Sequence, residues 1–308
     1  MKIVFLDRKT LGDDINLKQF NSLGEIIVYD ITKLNETLNR VKDADIVVTN
    51  KVIIDKDIMD NSNIKLICVA ATGMNNIDLE YAKQKGIMVK NVVGYSTSSV
   101  AQLTLSYALQ FVQKINYYDN YVKSKAWQNS EIFTNNDKPF YELDGKVWGI
   151  IGLGNIGKKV AQIAHSFGCK VVYYSTSGKN NDTTYSSLSL DELLKNSDIV
   201  SLHCPLNEQT NNLLNKTNLK DMKDGAILLN LGRGGLVNEQ DISDNINSEQ
   251  DIYFATDVVT TEPIVENSPL LNIKDNSRVI ITPHIAWASK EARQRLLNGI
   301  EKNIKENI

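Results

Sequence analysis

The chain is poor in cysteine and in histidine, with three of each in 308 residues. Cys68, Cys169 and Cys204 are isolated and lie in apolar segments. Their spacing fits neither a disulfide framework nor a metal site. No Cys/His/Asp cluster has ligand spacing, so no metal is expected. No G-x-S-x-G occurs, which removes the usual turn of a serine hydrolase. A basic block is also missing. Net charge is −3 and the pI is about 5.7, so neither nucleic acid nor an anionic membrane is an expected partner. Long hydrophobic runs are missing too. The opening MKIVFLDRKT has an apolar run far too short for a signal peptide or a membrane span, and no later run reaches that length. A reducing cytoplasm is the expected location. There is no internal repeat and no low-complexity tract.

What remains is the composition of an ordinary globular protein, 42% hydrophobic and 23% charged, long enough for two domains with ample core. One stretch organises it. Lys146 to Gly157 reads KVWGIIGLGNIG. Val147–Ile151 suits a strand buried on both faces of a parallel sheet. Gly152, Gly154 and Gly157 follow at G-x-G-x-x-G spacing, and Lys158 to Phe167 then keeps a helical period. Strand, glycine turn and helix arrive in the order a dinucleotide site requires. Gly152 allows the tight turn, Gly154 lets a pyrophosphate approach the backbone, and Gly157 lets the helix pack on the strand. Free amides and the helix dipole then face the phosphates.

Before this stretch, short strands and helices alternate. Strands are expected at 3–6, 25–29, 45–49, 65–70 and 87–91. A helix is expected over 33–41 with Thr32 as cap, and another over 79–85 after Asp78. Residues 98 to about 127 contain no Gly or Pro; as one helix they would reach about 45 Å. From Lys146 the alternation restarts, with strands at 147–151, 170–174, 199–203, 226–231, 253–258 and 279–282. The fold class is therefore α/β, two doubly wound parallel-sheet lobes with a cleft between them as the default ligand site. The expected boundaries are 1–98 plus 285–308 for one lobe and 99–284 for the other. The amphipathic helix from Ser289 to about Lys305 returns to the first lobe in that scheme.

Three residues capable of chemistry stand at successive strand ends of the second lobe. Arg233 lies among Gly232, Gly234 and Gly235, where packing gives it no purpose; its guanidinium can bind a carboxylate through two parallel bonds. Glu262 follows the strand ending near Val258, and His284 follows the last strand. Together they make an acid/base group beside a nucleotide. His165 falls on the polar side of the glycine-turn helix. His203, in LHCP, falls nearer the cofactor than the substrate.

The chain resembles the D-isomer-specific 2-hydroxyacid dehydrogenase family over nearly its full length. The motifs that carry the resemblance are ATGMNNIDLEYAKQKGI (71–87), GYSTSSVAQLTL (94–105), GIIGLGNIGKKVA (149–161), LHCPLNEQT (202–210), LLNLGRGGLVNE (228–239), ATDVVTTEP (255–263) and TPHIAWASKEARQRL (282–296). Within the family, ATGMNNID, GYSTSSVAQ and PHIAWASKEAR are most similar to the glycerate dehydrogenase (hydroxypyruvate reductase) branch. The resemblance implies a substrate-binding lobe, a Rossmann-like dinucleotide lobe, and hydride transfer between NAD(H) or NADP(H) and a small 2-keto or 2-hydroxy acid. It implies that Arg233 anchors the substrate, helped by the loop of Ala71, Thr72, Gly73 and Met74. His284 would exchange the proton with the substrate oxygen, and Glu262 would stabilise its imidazolium form. Cofactor contacts are implied for Gly152, Gly154, Asn155, Ile156, Gly157, Ser175, Lys179, Cys204, Pro205, Thr210, Leu231, Gly232, Arg233, Asp257 and His284. A homodimer through the long helix and the loop after it is implied as well.

One position departs from the pattern. The family usually has Asp where this chain has Ser175, an acid that repels the 2′-phosphate of NADP. Its absence points toward NADP(H) use. Two other readings compete with a 2-keto acid reductase. A nucleotide-sensing regulator of the same fold would not need Arg233, Glu262 and His284 intact. Formate-using relatives usually carry Gln where Glu262 stands.

Overall fold

Apolar β-branched runs become the inner strands of two separate parallel sheets. The structure, a computed structural model, describes residues 1–180, 182–248 and 251–307. The chain divides into two units, Met1–Ser96 with Trp287–Ile308, and Thr97–Ala286.

The first unit carries β1 (Lys2–Phe5), β2 (Glu25–Val28), α1 (Thr37–Val41), β3 (Ile46–Thr49), α2 (Lys56–Asp60), β4 (Leu66–Val69), α3 (Leu79–Lys85) and β5 (Met88–Lys90). Its strand order is β2-β1-β3-β4-β5, all parallel. β3 and β4 are buried along their whole length, as a sheet covered on both faces requires. Alternate residues feed two cores. Ile46, Val48 and Cys68 join Phe5 on one face, and Val47, Ile67 and Val69 join Val4 on the other. The C-terminal helix Lys290–Glu306 completes the first core: Ala292, Leu296, Ile300 and Ile304 are fully buried at helical spacing. Ser289 caps it by accepting the Ala292 N–H at 3.2 Å. Asp78 caps α3 in the same way. Thr32 is not a cap. Its hydroxyl donates to the carbonyl of Leu6, and the helix opens with a 3₁₀ turn, Leu34–Glu36, closed by Glu36 accepting the Lys33 N–H at 2.8 Å.

The second unit opens with α4 (Thr97–Gln113) and α5 (Ile115–Lys123). The long helix expected from the sequence is therefore two. Lys114 between them takes φ 50°, a left-handed conformation that costs a lysine on the order of 1 kcal/mol and ends the helix without a glycine or proline. Then come β6 (Val147–Ile151), α6 (Asn155–Ser166), β7 (Lys170–Tyr174), β8 (Ser186–Ser187), α7 (Leu190–Asn196), β9 (Ile199–Leu202), α8 (Lys216–Leu219), β10 (Ile227–Asn230), α9 (Glu239–Asn247), β11 (Tyr253–Thr256) and β12 (Val279–Ile281). The order is β12-β11-β10-β9-β6-β7-β8, again all parallel. Small residues on α4 and α6, Ala101, Ala108, Ala161 and Ala164, share one core with Ile150, Leu229 and Trp148. Trp148 is fully buried, and its indole donates to Ser201 Oγ at 2.9 Å. Several strands stop before their hydrophobic runs do. β10 ends at Asn230 and β11 at Thr256, because these side chains bond nearby backbone: Thr256 Oγ1 donates to the carbonyl of Val258 at 2.5 Å.

Candidate active site

The glycine turn after β6 is held from three sides. The Gly152 N–H donates to the carbonyl of Tyr174 at 3.0 Å, and Gly152 has φ +92°. A Cβ there would lie 2.7 Å from the Cys204 nitrogen, so the loop after β9 packs directly on the turn. A Cβ on Gly157 would lie 2.2 Å from the Gly152 carbonyl oxygen, so α6 sits against the turn. Gly154 differs, because a Cβ there meets nothing within 4 Å. No side chain caps α6 and no acid stands in its first turn, among the described residues. The amides of Asn155 and Ile156 thus open a helix whose positive end the chain itself does not neutralise. These features fit a pyrophosphate.

Beyond β7, the Ser175–Lys179 turn closes through Gly178 N–H to the Ser175 carbonyl at 3.2 Å. Asn180 ties it down, donating to the Leu153 carbonyl at 2.6 Å. A cavity of about 660 Å³ lies here, lined among others by Leu153, Lys158, Ser177, Lys179 and Asp182. Lys158 and Asp182 form an ion pair at 3.0 Å, and the hydrogen bond from Lys158 holds the Asp182 carboxyl below the usual range. Of these residues the sequence had singled out Lys179 and not Lys158, Asn180 or Asp182. Lys158 had a signal, since it follows the third glycine; the other two had none. Thr210 closes the loop after Cys204, its hydroxyl donating to the Pro205 carbonyl at 2.7 Å. Burial pushes the Cys204 thiol up to about 11. Both ring nitrogens of His203 are buried without a hydrogen-bond partner among the described residues, and burial pushes its pKa down to about 3, which keeps it neutral. His165 is exposed on α6.

Three strand ends carry the other candidates. After β10, Leu231 is buried and Gly232 turns the chain toward an exposed Arg233, whose Nη1 donates to the Gly232 carbonyl at 2.8 Å. Gly234 lies so close to the chain after β11 that a Cβ would meet the Val259 carbonyl carbon at 2.1 Å. Glu262 follows on that same segment, its Oε1 accepting the Val259 N–H at 3.4 Å. Its Oε2 meets His284 Nδ1 at 2.7 Å. His284 has φ 54° and is pinned by its own N–H donating to the Asp257 carbonyl at 2.9 Å.

Asp257 is buried and organises the loop that carries His284. Its Oδ1 accepts from Thr282 Oγ1 at 2.5 Å and from the Ile285 N–H at 2.8 Å. Its Oδ2 accepts the Ala286 N–H at 2.7 Å. Burial raises the Asp257 pKa against these bonds. Thr282 is bonded in turn to the Tyr107 hydroxyl of α4, whose pKa burial lifts to about 12.

The Ala71–Met74 loop follows β4 in the first unit. Thr72 anchors it, its hydroxyl donating to the Val92 carbonyl at 3.1 Å and its carbonyl accepting from Asn91 at 2.6 Å. Among the described residues no three His, Cys, Asp or Glu converge on a possible metal position, and no helix is long and apolar enough to cross a membrane.

The chain is similar to known proteins over most of its length. A family model, D-isomer specific 2-hydroxyacid dehydrogenase, NAD binding domain, matches residues 105–286. A hydroxypyruvate reductase of Blautia hydrogenotrophica is 41% identical, with 99% of this chain and 96% of that protein covered. A glycerate dehydrogenase of Methylorubrum extorquens is 35% identical over 98% of this chain and 95% of its own. Among solved structures, an acyclic imino acid reductase in complex with NADPH and D-Arg superposes with a TM-score of 0.85 at 28% identity, covering 99% and 96% of the two chains. The chain belongs to the D-isomer specific 2-hydroxyacid dehydrogenases and is a nicotinamide-dependent oxidoreductase of 2-hydroxy acids.

Proposed function

We propose that the protein reduces a small 2-keto acid, hydroxypyruvate or glyoxylate, to D-glycerate or glycolate. The observation that carries this reading is the 2.7 Å contact between His284 Nδ1 and Glu262, at the strand ends where Arg233 also stands. Because Glu262 occupies Nδ1, Nε2 is the nitrogen that delivers the proton to the substrate oxygen. The carboxylate stabilises the protonated ring while that proton waits. Arg233 binds the substrate carboxylate through its planar fork. The nicotinamide cofactor supplies the hydride when bound. Gly152, Gly154, Asn155, Ile156 and Gly157 are the proposed pyrophosphate contacts, Leu231–Arg233 the ribose contacts and Asp257 the carboxamide contact. A purely nucleotide-sensing role leaves the His–Glu pair without a purpose.

The proposed domain roles follow: the first unit binds substrate and the second the dinucleotide. NADP(H) use is proposed from Ser175, which brings no acid, and from Lys179 on the adjoining cavity. A homodimer is proposed through α5 and the loop after it. Ile115, Val122 and Trp127 are exposed there, and Phe133 is 88% exposed, an arrangement that a second copy would cover. The three free, buried cysteines suit a reducing cytoplasm. The test is NADH and NADPH oxidation with a panel of 2-keto acids, and formate in the reverse direction. Turnover of glyoxylate or hydroxypyruvate is the expected result. Activity with formate alone, or with no keto acid at all, would refute the reading.

A further inference from the structure

We infer that Asn230 is a positioning residue for the Arg233 anchor. The inference rests on the anchor role proposed above. Arg233 stands in a run of glycines, with Gly232 before it and Gly234 and Gly235 after it. Glycine has no Cβ to restrict its dihedrals, so such a run does not hold a side chain in one direction by itself. Asn230 supplies the missing restraint.

Asn230 is the last residue of β10 and is fully buried. Its Oδ1 accepts the Gly232 N–H at 3.2 Å. Its Nδ2 donates to the Arg233 carbonyl at 2.9 Å. One carboxamide thus grips the arc on both sides of the Arg233 Cα. Arg233 is left in an extended conformation, φ −147° and ψ 146°. Asn230 is itself fixed from behind. Its carbonyl accepts the Asp257 N–H at 3.1 Å.

The chemistry singles out asparagine. The position needs a donor and an acceptor on one short side chain. Aspartate has acceptors only and would set a buried negative charge against the Arg233 carbonyl. Serine reaches one of the two partners. Without the carboxamide the Gly232 N–H loses this partner and the Arg233 carbonyl keeps the Leu236 N–H at 3.2 Å alone; the loop escapes that cost by moving, which takes the guanidinium with it.

The experiment is a double-mutant cycle on the full-length protein, read as kcat/KM for glyoxylate and hydroxypyruvate. Asn230→Ala is expected to lower kcat/KM tenfold or more in the parent, a change of about 1.4 kcal/mol. In an Arg233→Ala background the same substitution is expected to cost less than about threefold, because the side chain it positions is gone. Asn230→Ser, which keeps one hydroxyl, should fall between Ala and the parent. Circular dichroism and thermal melting establish that each variant is folded. An equal loss in both backgrounds would mean that Asn230 only supports the fold, and it would overturn the inference. So would unchanged kcat/KM in the parent, or a failure of both variants to fold. An Arg233→Ala protein as active as the parent would overturn the anchor role itself, a result separate from any effect of Asn230.

Discussion

Replacing Glu262 by Gln keeps the shape of the pair with His284 and removes one charge. The structure sets the scale of the effect. The contact is 2.7 Å, and the two side chains are 28% and 29% exposed, so solvent weakens the interaction without abolishing it. A hydrogen bond to a charged partner is worth about 1.5–3 kcal/mol and one between neutral groups about 0.5–1.5. The difference, about 1 kcal/mol, corresponds to a five- to tenfold fall in kcat. Glu262→Gln should therefore retain far more activity than His284→Ala, which removes the proton donor and should cost about 10²-fold or more. The assay is steady-state keto acid reduction at saturating cofactor. It is run in H₂O and in D₂O, because a weakened donor makes proton transfer more rate-limiting and enlarges the solvent isotope effect. Cofactor affinity, read by quenching of NADH fluorescence, should stay within about threefold of the parent, a shift smaller than one neutral hydrogen bond. Equal kcat for the Gln variant and the parent would show that the carboxylate does not support the histidine.

Four further outcomes are expected. Arg233→Lys keeps the charge but not the planar fork, so kcat/KM for the keto acid should fall by an order of magnitude or more; parity with the parent would refute bidentate binding. Ser175→Asp should shift the NADPH/NADH ratio of kcat/KM toward NADH by roughly 1–3 kcal/mol, and a parent that already prefers NADH by much more than about tenfold would contradict the reading of this loop. His203 has a folded pKa of about 3, below its unfolded value, so the unfolded chain binds the extra proton first. Its contribution to stability is intact above the unfolded pKa and is lost as pH falls from there toward 3, by up to about 1.4 kcal/mol per pH unit. Denaturant titration of the parent and His203→Gln between pH 7 and 4 should show a shallower pH slope in the variant, and identical slopes would refute the assignment. Light scattering at micromolar concentration should give about twice 34.5 kDa, and a 34.5 kDa species would count against the dimer.

The glycine-turn strand was legible to the residue, because β6 is a five-residue apolar run that ends at a glycine. The C-terminal helix was legible to within a residue at each end, because its buried positions repeat at helical spacing. Local sequence fails where a single backbone angle decides. Nothing marks Lys114 as a break, since lysine carries no turn signal, yet its φ of 50° divides α4 from α5. β8 is two serines and has no hydrophobic pattern at all. At the site, Glu262 and His284 could be read as residues near strand ends. Their pairing was implied by the family resemblance alone; spacing could not give it, because the contact spans 22 positions and depends on Asp257 bending the last loop back. The Lys158–Asp182 pair was hidden for the same reason, with 24 positions between its partners in the sequence.

The helix Lys290–Glu306 also bears on how the protein is made. The strands of the first unit precede the second unit in the chain, but their core needs Ala292, Leu296, Leu297, Ile300 and Ile304, which a ribosome delivers only after the whole second unit. The second unit has its residues in one uninterrupted run, Thr97–Ala286. Synthesis therefore reverses the order of completion: the segment translated first must wait, with Phe5, Ile46 and Leu66 uncovered, until the segment translated after it has emerged. A premature stop codon before Leu296 would remove most of that cover and leave the amino-terminal sheet exposed to chaperones while sparing the sequence of the other unit.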